Sequence, residues 1–350
     1  MNTVDLVVFE DIAAQEREAR RKTLPRFPLY RAGTRELRPP DWLVDGFLER
    51  GAFGLIFGEP ETGKSFIALD LAASIATGAS WHGRNARSGP VVYLAGEGHA
   101  GIDRRLEAWR IAHRFDSLAP FPLYLSEIPA SLADAELMER LDVALADVAA
   151  ENGAPALLVL DTWARNLGAD ENSTPDVAQA IAALDRLRAP YRCASLVVHH
   201  PGIGDKTRSR GNGALRGALD VEYRATRGAD DLIRLECLKS KETERPGSLA
   251  FRLRSVDLGI VDEHRRPVLS AVVDAEAYQP ESGATDAPGS GLAPADKRLL
   301  TLLMDNKGGL TAAQLATMTG QSEGAVRAGL SRLAAVKYAT KGADGKWNDS

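Results

Sequence analysis

Residues 52–76 read AFGLIFGEPETGKSFIALDLAASIA: an unbroken apolar run, a glycine-bounded polar loop and an apolar-rich helical stretch in direct succession. Within it, Gly58, Glu59, Pro60, Glu61, Thr62, Gly63, Lys64 and Ser65 fit the phosphate-loop pattern G-x-x-x-x-G-K-[ST]. Glycines let the backbone curl so that successive amide N–H groups converge on phosphate oxygens, with the positive end of a helix behind them. Lys64 then supplies a cation to the β and γ phosphates and Ser65 a hydroxyl to Mg2+. The segment from Gly58 to Phe66 is therefore expected to hold a nucleoside triphosphate, ATP, with its Mg2+. A glycine-rich turn that only caps a helix is the plainer alternative.

Outward from that loop, short apolar runs alternate with longer helical stretches: PVVYLA, a long amphipathic stretch, ALLVLD, VAQAIAALDRLR and ASLVVHH. Unbroken apolar strands suit burial on both faces, and helices between them suit a parallel sheet. The expected fold class is α/β with a mainly parallel central sheet. After His200, DLIRLECLKS and SLAFRLRSV alternate apolar and polar residues with no helix between them, so they are expected as strands added at one edge.

A metal ion on the triphosphate needs a second oxygen ligand, and a carboxylate ending an apolar strand reaches it without being buried unpaired. Asp161, at the end of LLVLD, meets that requirement, with a strand-end capping Asp as the alternative. Hydrolysis also needs a group to position or deprotonate water. Thr162 and Trp163 follow Asp161, so that carboxylate must come from elsewhere. Glu97, after PVVYLA and between Gly96 and Gly98, belongs to the strand expected beside that of Asp161, at the same carboxyl edge. A solvated loop Glu is the competing reading.

The chain has 350 residues, 44% hydrophobic and 26% charged, which excludes disorder as its global state. A net charge of −5 excludes a general polyanion binder, so any nucleic-acid contact must come from a local basic patch. One lies in PGIGDKTRSRGNGALRGAL after His200, which carries Lys206, Arg208, Arg210 and Arg216 among glycines. Spaced cations on a flexible backbone suit the phosphates of single-stranded nucleic acid, and the missing aromatics argue against base stacking. A basic surface loop without a ligand is the bland alternative. Cys193 and Cys237 both lie in apolar runs, which excludes disulfide scaffolding and leads to the expectation of buried thiols in a reducing cytoplasm. The opening MNTVDLVVFEDIAA lacks a basic leader segment and no apolar run reaches eighteen residues, so a soluble protein without membrane contact is expected.

Four regions are expected. Residues 1–40 form an arm and strap, charged and helix-like over 10–24 and proline-rich thereafter; 41–274 form the main domain; 275–293, AEAYQPESGATDAPGSGLA, form a linker. Residues 294–350 give three short helices, with Thr311 and Ser322 as caps, and then a hairpin. That order resembles a winged helix-turn-helix, whose third helix would offer Arg327 and Arg332, with Lys337 beyond, to duplex phosphates or would dock a protein such as a replication factor.

GAFGLIFGEPETGKSFIALDLA, GPVVYLAGEG, LLVLDTWARN and VVHHPG together resemble the RecA-like ATPases of the RepA hexameric replicative helicase group, AAA family ATPases of phages, plasmids and mobile elements, over residues 41–260. The resemblance implies a RecA-like P-loop fold, a homohexamer that hydrolyses ATP at subunit interfaces, and translocation along single-stranded DNA. It implies Glu97 as the catalytic glutamate, His200 as a γ-phosphate sensor and Arg105 as a phosphate-coupling cation. A ring of this kind completes each site with a cation from its neighbour, for which Arg224, Lys239 and Lys241 are the candidates. Related helicases carry Lys-x-Arg where this chain has Lys239-Ser240-Lys241, and Lys lacks the planar fork of Arg. A regulator or helicase loader that uses ATP as a switch is the competing function. A small-molecule kinase is disfavoured, because no acceptor-binding lid is apparent.

Overall fold

The computed structural model describes residues 29–96, 99–202, 213–274, 294–306, 309–335, 338–342 and 345–349. The charged stretch 10–24, Glu97, the loop cations Lys206, Arg208 and Arg210, the linker 275–293 and Lys337 lie outside these residues. The chain divides into two units between Asp41 and Trp42. In the first unit, residues 29–41 run without helix or strand, and 29–40 are exposed.

The second unit begins with a small hairpin, β1 (Trp42–Val44) and β2 (Leu48–Glu49). Then follow β3 (Phe53–Phe57), α1 (Lys64–Thr77), β4 (Val91–Ala95), α2 (His99–Ala112), β5 (Leu123–Leu125), α3 (Ala135–Asn152), β6 (Leu157–Asp161) and α4 (Trp163–Leu167). The series continues through α5 (Thr174–Arg188), β7 (Ala194–His199), α6 (Gly213–Ala218), β8 (Val221–Arg227), β9 (Ile233–Ser240) and β10 (Leu249–Phe251). These strands make an eight-stranded sheet in the order β10-β9-β8-β3-β7-β6-β4-β5. The six from β8 to β5 are parallel, and β9 and β10 run antiparallel at the edge.

Every residue of β3, β4, β6 and β7 is buried, because helices cover both faces of the sheet. Alternate side chains sort to the two layers. Ile56, Tyr93, Val159 and Val198 pack with α1 and α2. Phe53, Leu55, Leu158 and Val197 pack with α3 and α5. Each fully buried Leu or Phe contributes roughly 1.5–3 kcal/mol relative to exposure. Both cysteines are buried, and burial pushes the Cys193 thiol up to about 12.

Two expectations about the sheet need correction. The long amphipathic stretch between PVVYLA and ALLVLD contains the edge strand β5 as well as helices. SLAFRLRSV is not one edge strand: it splits at Arg252 into β10 and β11 (Leu253–Val261), and β11 leaves the sheet to pair with β12 (Pro267–Val273) in a separate hairpin. The cause lies in α1, which buries residues all around its circumference and so needs cover on its outer side. Val256, Leu258, Val272 and Val273 of the hairpin join the core that contains α1 and α2. Asp70 ties the same layer together, accepting from the Trp81 and Trp109 indoles at 2.8 Å each and contacting His82 Nε2 at 2.9 Å.

Toward the C-terminus, α7 (Pro294–Asp305), α8 (Ala312–Thr319) and α9 (Glu323–Ala335) precede a hairpin of β13 (Ala339–Lys341) and β14 (Trp347–Asp349). They enclose their own core, which includes Leu299, Leu303, Leu315, Val326 and Leu330. Thr311 and Gln314 form a reciprocal capping box, and Ser322 Oγ accepts from Ala325 N. No helix among the described residues is long and apolar enough to cross a membrane.

Candidate functional site

The loop from Gly58 to Gly63 joins β3, near the centre of the sheet, to α1. Its two glycines are required for different reasons. A Cβ on Gly58 would lie 2.2 Å from the Ala225 carbonyl oxygen of β8, and Gly63 has φ +87° with Ile233 Cδ1 2.5 Å from where its Cβ would stand. No side chain caps α1 at Gly63, so its first-turn amides face the loop's concavity. Lys64 folds over that concavity: its Nζ donates to the carbonyls of Gly58 at 2.7 Å and Glu59 at 2.6 Å.

Asp161 ends β6, separated from β3 only by β7. Ser65 Oγ donates to its Oδ1 at 3.1 Å, and the Tyr93 hydroxyl to its Oδ2 at 2.5 Å. The structure thus brings Ser65 and Asp161 into direct contact, with the Lys64 charge close enough to act on the same carboxylate. Burial pushes the Asp161 carboxyl up, against the hydrogen bonds from Tyr93 and Ser65 and the charges of Arg105 and Lys64. A hydroxyl and a carboxylate at this spacing are the hard oxygen donors that suit Mg2+. Among the described residues no cluster of three or more His, Cys, Asp or Glu could hold a metal, so this pair would share the ion with phosphate oxygens and water. Once bound, Mg2+ would neutralise phosphate charge.

A cavity of about 480 Å³ opens over this cluster, lined by Pro60, Glu61 and Gly63 to Phe66, and by Arg105, Thr162, His200, Arg227 and Leu253. His200 thus stands in the site, whereas His199 is turned into the protein, 3.9 Å from Glu171. Arg105 stacks over Phe66 with its guanidinium carbon 4.4 Å from the ring centroid. β4 pairs with β6 in parallel register, Ala95 opposite Asp161, and Gly96 N donates to Asp161 O at 2.7 Å. The strand that leads into Glu97 is therefore the neighbour of the Asp161 strand, as the sequence suggested.

Other expected residues are engaged within the chain. Arg224 lies on β8 in register with Phe57 and bonds Glu236. Lys239 caps the end of α6 through the carbonyls of Arg216 and Leu219, at 2.8 and 2.6 Å. Lys241 pairs with Asp220 at 3.3 Å, near the start of β8 and hence at the sheet edge opposite the phosphate loop. Arg216 pairs with the fully buried Glu222 at 2.9 Å. In the C-terminal helices, Arg332 makes two 2.8 Å bonds to Asp296 and Arg327 bonds Glu323, so neither stands unpaired toward a duplex.

Two residues of the site escaped the sequence reading. Arg227 closes β8 and donates to the Glu61 carbonyl at 3.2 Å, a contact legible only once β8 is known to lie beside β3. Tyr93 was visible as the one hydroxyl-bearing side chain in VVYLA, but nothing local aims it at Asp161. Tyr93→Phe removes one of the two donors to that carboxylate and should raise the Mg2+ concentration for half-maximal turnover by about tenfold. Metal-free nucleotide affinity should stay unchanged. A Mg2+ titration identical to the parent's would leave Tyr93 a packing residue only.

Burial lowers the Lys64 ammonium from its usual range to about 8, with Asp161 and Glu59 pulling the other way. In the free protein Lys64 is thus charged below pH 8 and increasingly neutral above it, while a bound triphosphate favours the charged form. Nucleotide affinity should therefore fall as pH rises above about 8, by up to roughly tenfold per unit, with proton uptake on binding. Calorimetry in buffers of different ionisation heat would detect that uptake, and an affinity flat across this range would exclude it.

A family model described as an AAA domain matches residues 15–206, more than half of the chain. The match spans the phosphate loop, the Asp161 strand and His200. By the loop, the paired Ser65 and Asp161 and this match, the chain belongs to the AAA domain family of P-loop ATPases, which use a nucleotide and usually Mg2+.

Proposed function

We propose that this chain is an ATP-driven motor of the RepA-like helicase type, a homohexamer that moves along single-stranded DNA during replication of a plasmid, phage or other mobile element. The observation that carries the reading is the position of His200. It lines the nucleotide cavity and begins the segment that bears Lys206, Arg208, Arg210 and Arg216. A group within reach of the γ-phosphate is thus covalently continuous with the basic loop, and α6 at the loop's far end is held by Arg216 to Glu222 and by Lys239. In this reading Lys64 holds the β and γ phosphates and Ser65 and Asp161 hold Mg2+. Glu97 takes the proton of the attacking water, and His200 reports whether the γ-phosphate is present. A cation from the adjacent copy, Arg224 or Lys241, completes the charge compensation after releasing its present carboxylate partner.

ATP turnover should rise when single-stranded DNA is added, and native mass should shift to a hexamer with a nonhydrolysable ATP analogue. Arg208→Ala with Arg210→Ala should reduce the stimulation and lower the salt slope of DNA binding by about 1.4, at ~0.7 per lost contact, with basal turnover retained. Absence of stimulation together with a monomeric mass would sink the motor.

A second reading draws support from the C-terminal module. Three helices followed by a hairpin is the winged helix-turn-helix order, and the engagement of Arg327 and Arg332 favours protein docking over duplex binding. A loader or regulator built this way would show slow turnover indifferent to single-stranded DNA.

A further inference from the structure

We infer that a cavity walled by Arg50, Arg188 and Arg192, at the amino end of β3 and β7, is a second anion site that takes a small phosphate-bearing ligand. This inference does not rest on the motor reading. The cavity has a volume of about 370 Å³, and Gly51, Asp185 and Cys193 also line it. Three Arg against one Asp leave its lining at net +2, in a chain of net −5. Its volume falls in the range of small-molecule sites, roughly 300–1,000 Å³. No aromatic side chain lines it among the described residues, so a base would find no face to stack on. Gly51 and Arg192 precede β3 and β7, whereas the phosphate loop follows the far end of β3, so the two sites lie at opposite edges of the sheet.

Arg188 builds the wall. Its Nε donates to Asp185 Oδ1 at 2.8 Å and its Nη1 to the Gly51 carbonyl at 2.7 Å, which offsets the Asp185 charge and ties the end of α5 to the segment entering β3. Arginines near a helix C-terminus commonly serve its last carbonyls. Here backbone amides do so: Ala189 N donates to Asp185 O, Cys193 N to Arg188 O at 3.1 Å and Arg192 N to Ala189 O at 3.2 Å. Arg192 closes the short 3-10 turn Ala189–Tyr191 with φ +50°, a left-handed position that Gly or Asn fills at lower cost. An Arg kept in that backbone points to a use for its side chain. Burial pushes the Cys193 thiol up, and the Arg188 and Arg50 charges pull against it, so both charges reach the same wall. Arg50 is half-buried and Arg192 exposed, which leaves the cavity open to solvent. Like charges gathered at one wall repel, a cost that an anion relieves, and the guanidinium fork matches paired phosphate oxygens.

The test uses the full chain with its phosphate loop first filled by a nonhydrolysable ATP analogue, inorganic phosphate as the probe and amide hydrogen exchange as the readout. Phosphate should slow exchange over residues 49–52 and 188–194, and chloride at equal ionic strength should not. Arg192→Gly, which suits the backbone at φ +50°, should raise the half-saturating phosphate concentration by about tenfold or more. Arg50→Ala should act in the same direction, and Arg192→Lys should recover part of the loss. Arg186→Ala, which removes an exposed cation from the same helix turn outside the cavity lining, should change nothing. Basal ATP turnover in every variant should match the parent, which shows an intact fold. Three results would overturn the inference: protection confined to residues 58–66, protection of 188–194 that survives Arg50→Ala with Arg192→Gly, or protection there by oligothymidine but not by phosphate, which would assign the cavity to a nucleic-acid strand.

Discussion

Glu97→Gln should lower ATP turnover by about 10²–10⁴-fold while leaving ATP binding close to that of the parent. Gln preserves the size and polarity of the side chain but cannot accept the proton of the attacking water. The preceding backbone is fixed next to Asp161: β4 runs beside β6, and Gly96 N donates to the Asp161 carbonyl. Because the loop and Lys64 are untouched, the variant should trap ATP, and a trapped complex should retain any nucleotide-dependent assembly. Comparing single-turnover hydrolysis with equilibrium binding separates the two effects. Normal hydrolysis by the variant would mean that another group activates the water, and Thr162, which follows Asp161 directly, would not replace it as a base at neutral pH.

Lys64→Ala is expected to cost about 10²–10³-fold in turnover and, unlike the glutamate variant, to weaken nucleotide binding as well. Lys64 is nearly enclosed, 5% exposed, and is held by two loop carbonyls directly over the concavity where phosphate would lie. Its charge is unfavourably placed in the free protein, which is why burial brings its pKa down to about 8; a triphosphate supplies the missing counter-charge. The loop should keep its shape without the side chain, since Thr62 Oγ1 still bonds the Glu59 carbonyl at 2.8 Å and the glycines still fit β8 and β9. Thermal unfolding of the variant should therefore stay near that of the parent. Parent-like nucleotide affinity in Lys64→Ala would remove the loop from the triphosphate site.

The sequence by itself determined the features carried by contiguous residues. A phosphate loop is one strand, one turn and one helix start, so its glycines, Lys64 and Ser65 are read off a single run. Strands buried on both faces are unbroken apolar words such as LLVLD and VVYLA, and their ends mark Asp161 and the approach to Glu97. Tertiary structure alone decided which side chains from distant segments meet. Tyr93 reaches Asp161 across the paired strands, Arg227 reaches the loop because β8 lies beside β3, and β11 leaves the sheet because α1 needs cover on its outer side. It also decided which cations were already committed: Arg216, Lys239 and Arg332 look free in sequence, but Glu222, two helix-end carbonyls and Asp296 hold them. Periodicity and short motifs record the local backbone state, whereas a hydrogen bond or ion pair depends on where the chain returns, and that is fixed only when the sheet order is set.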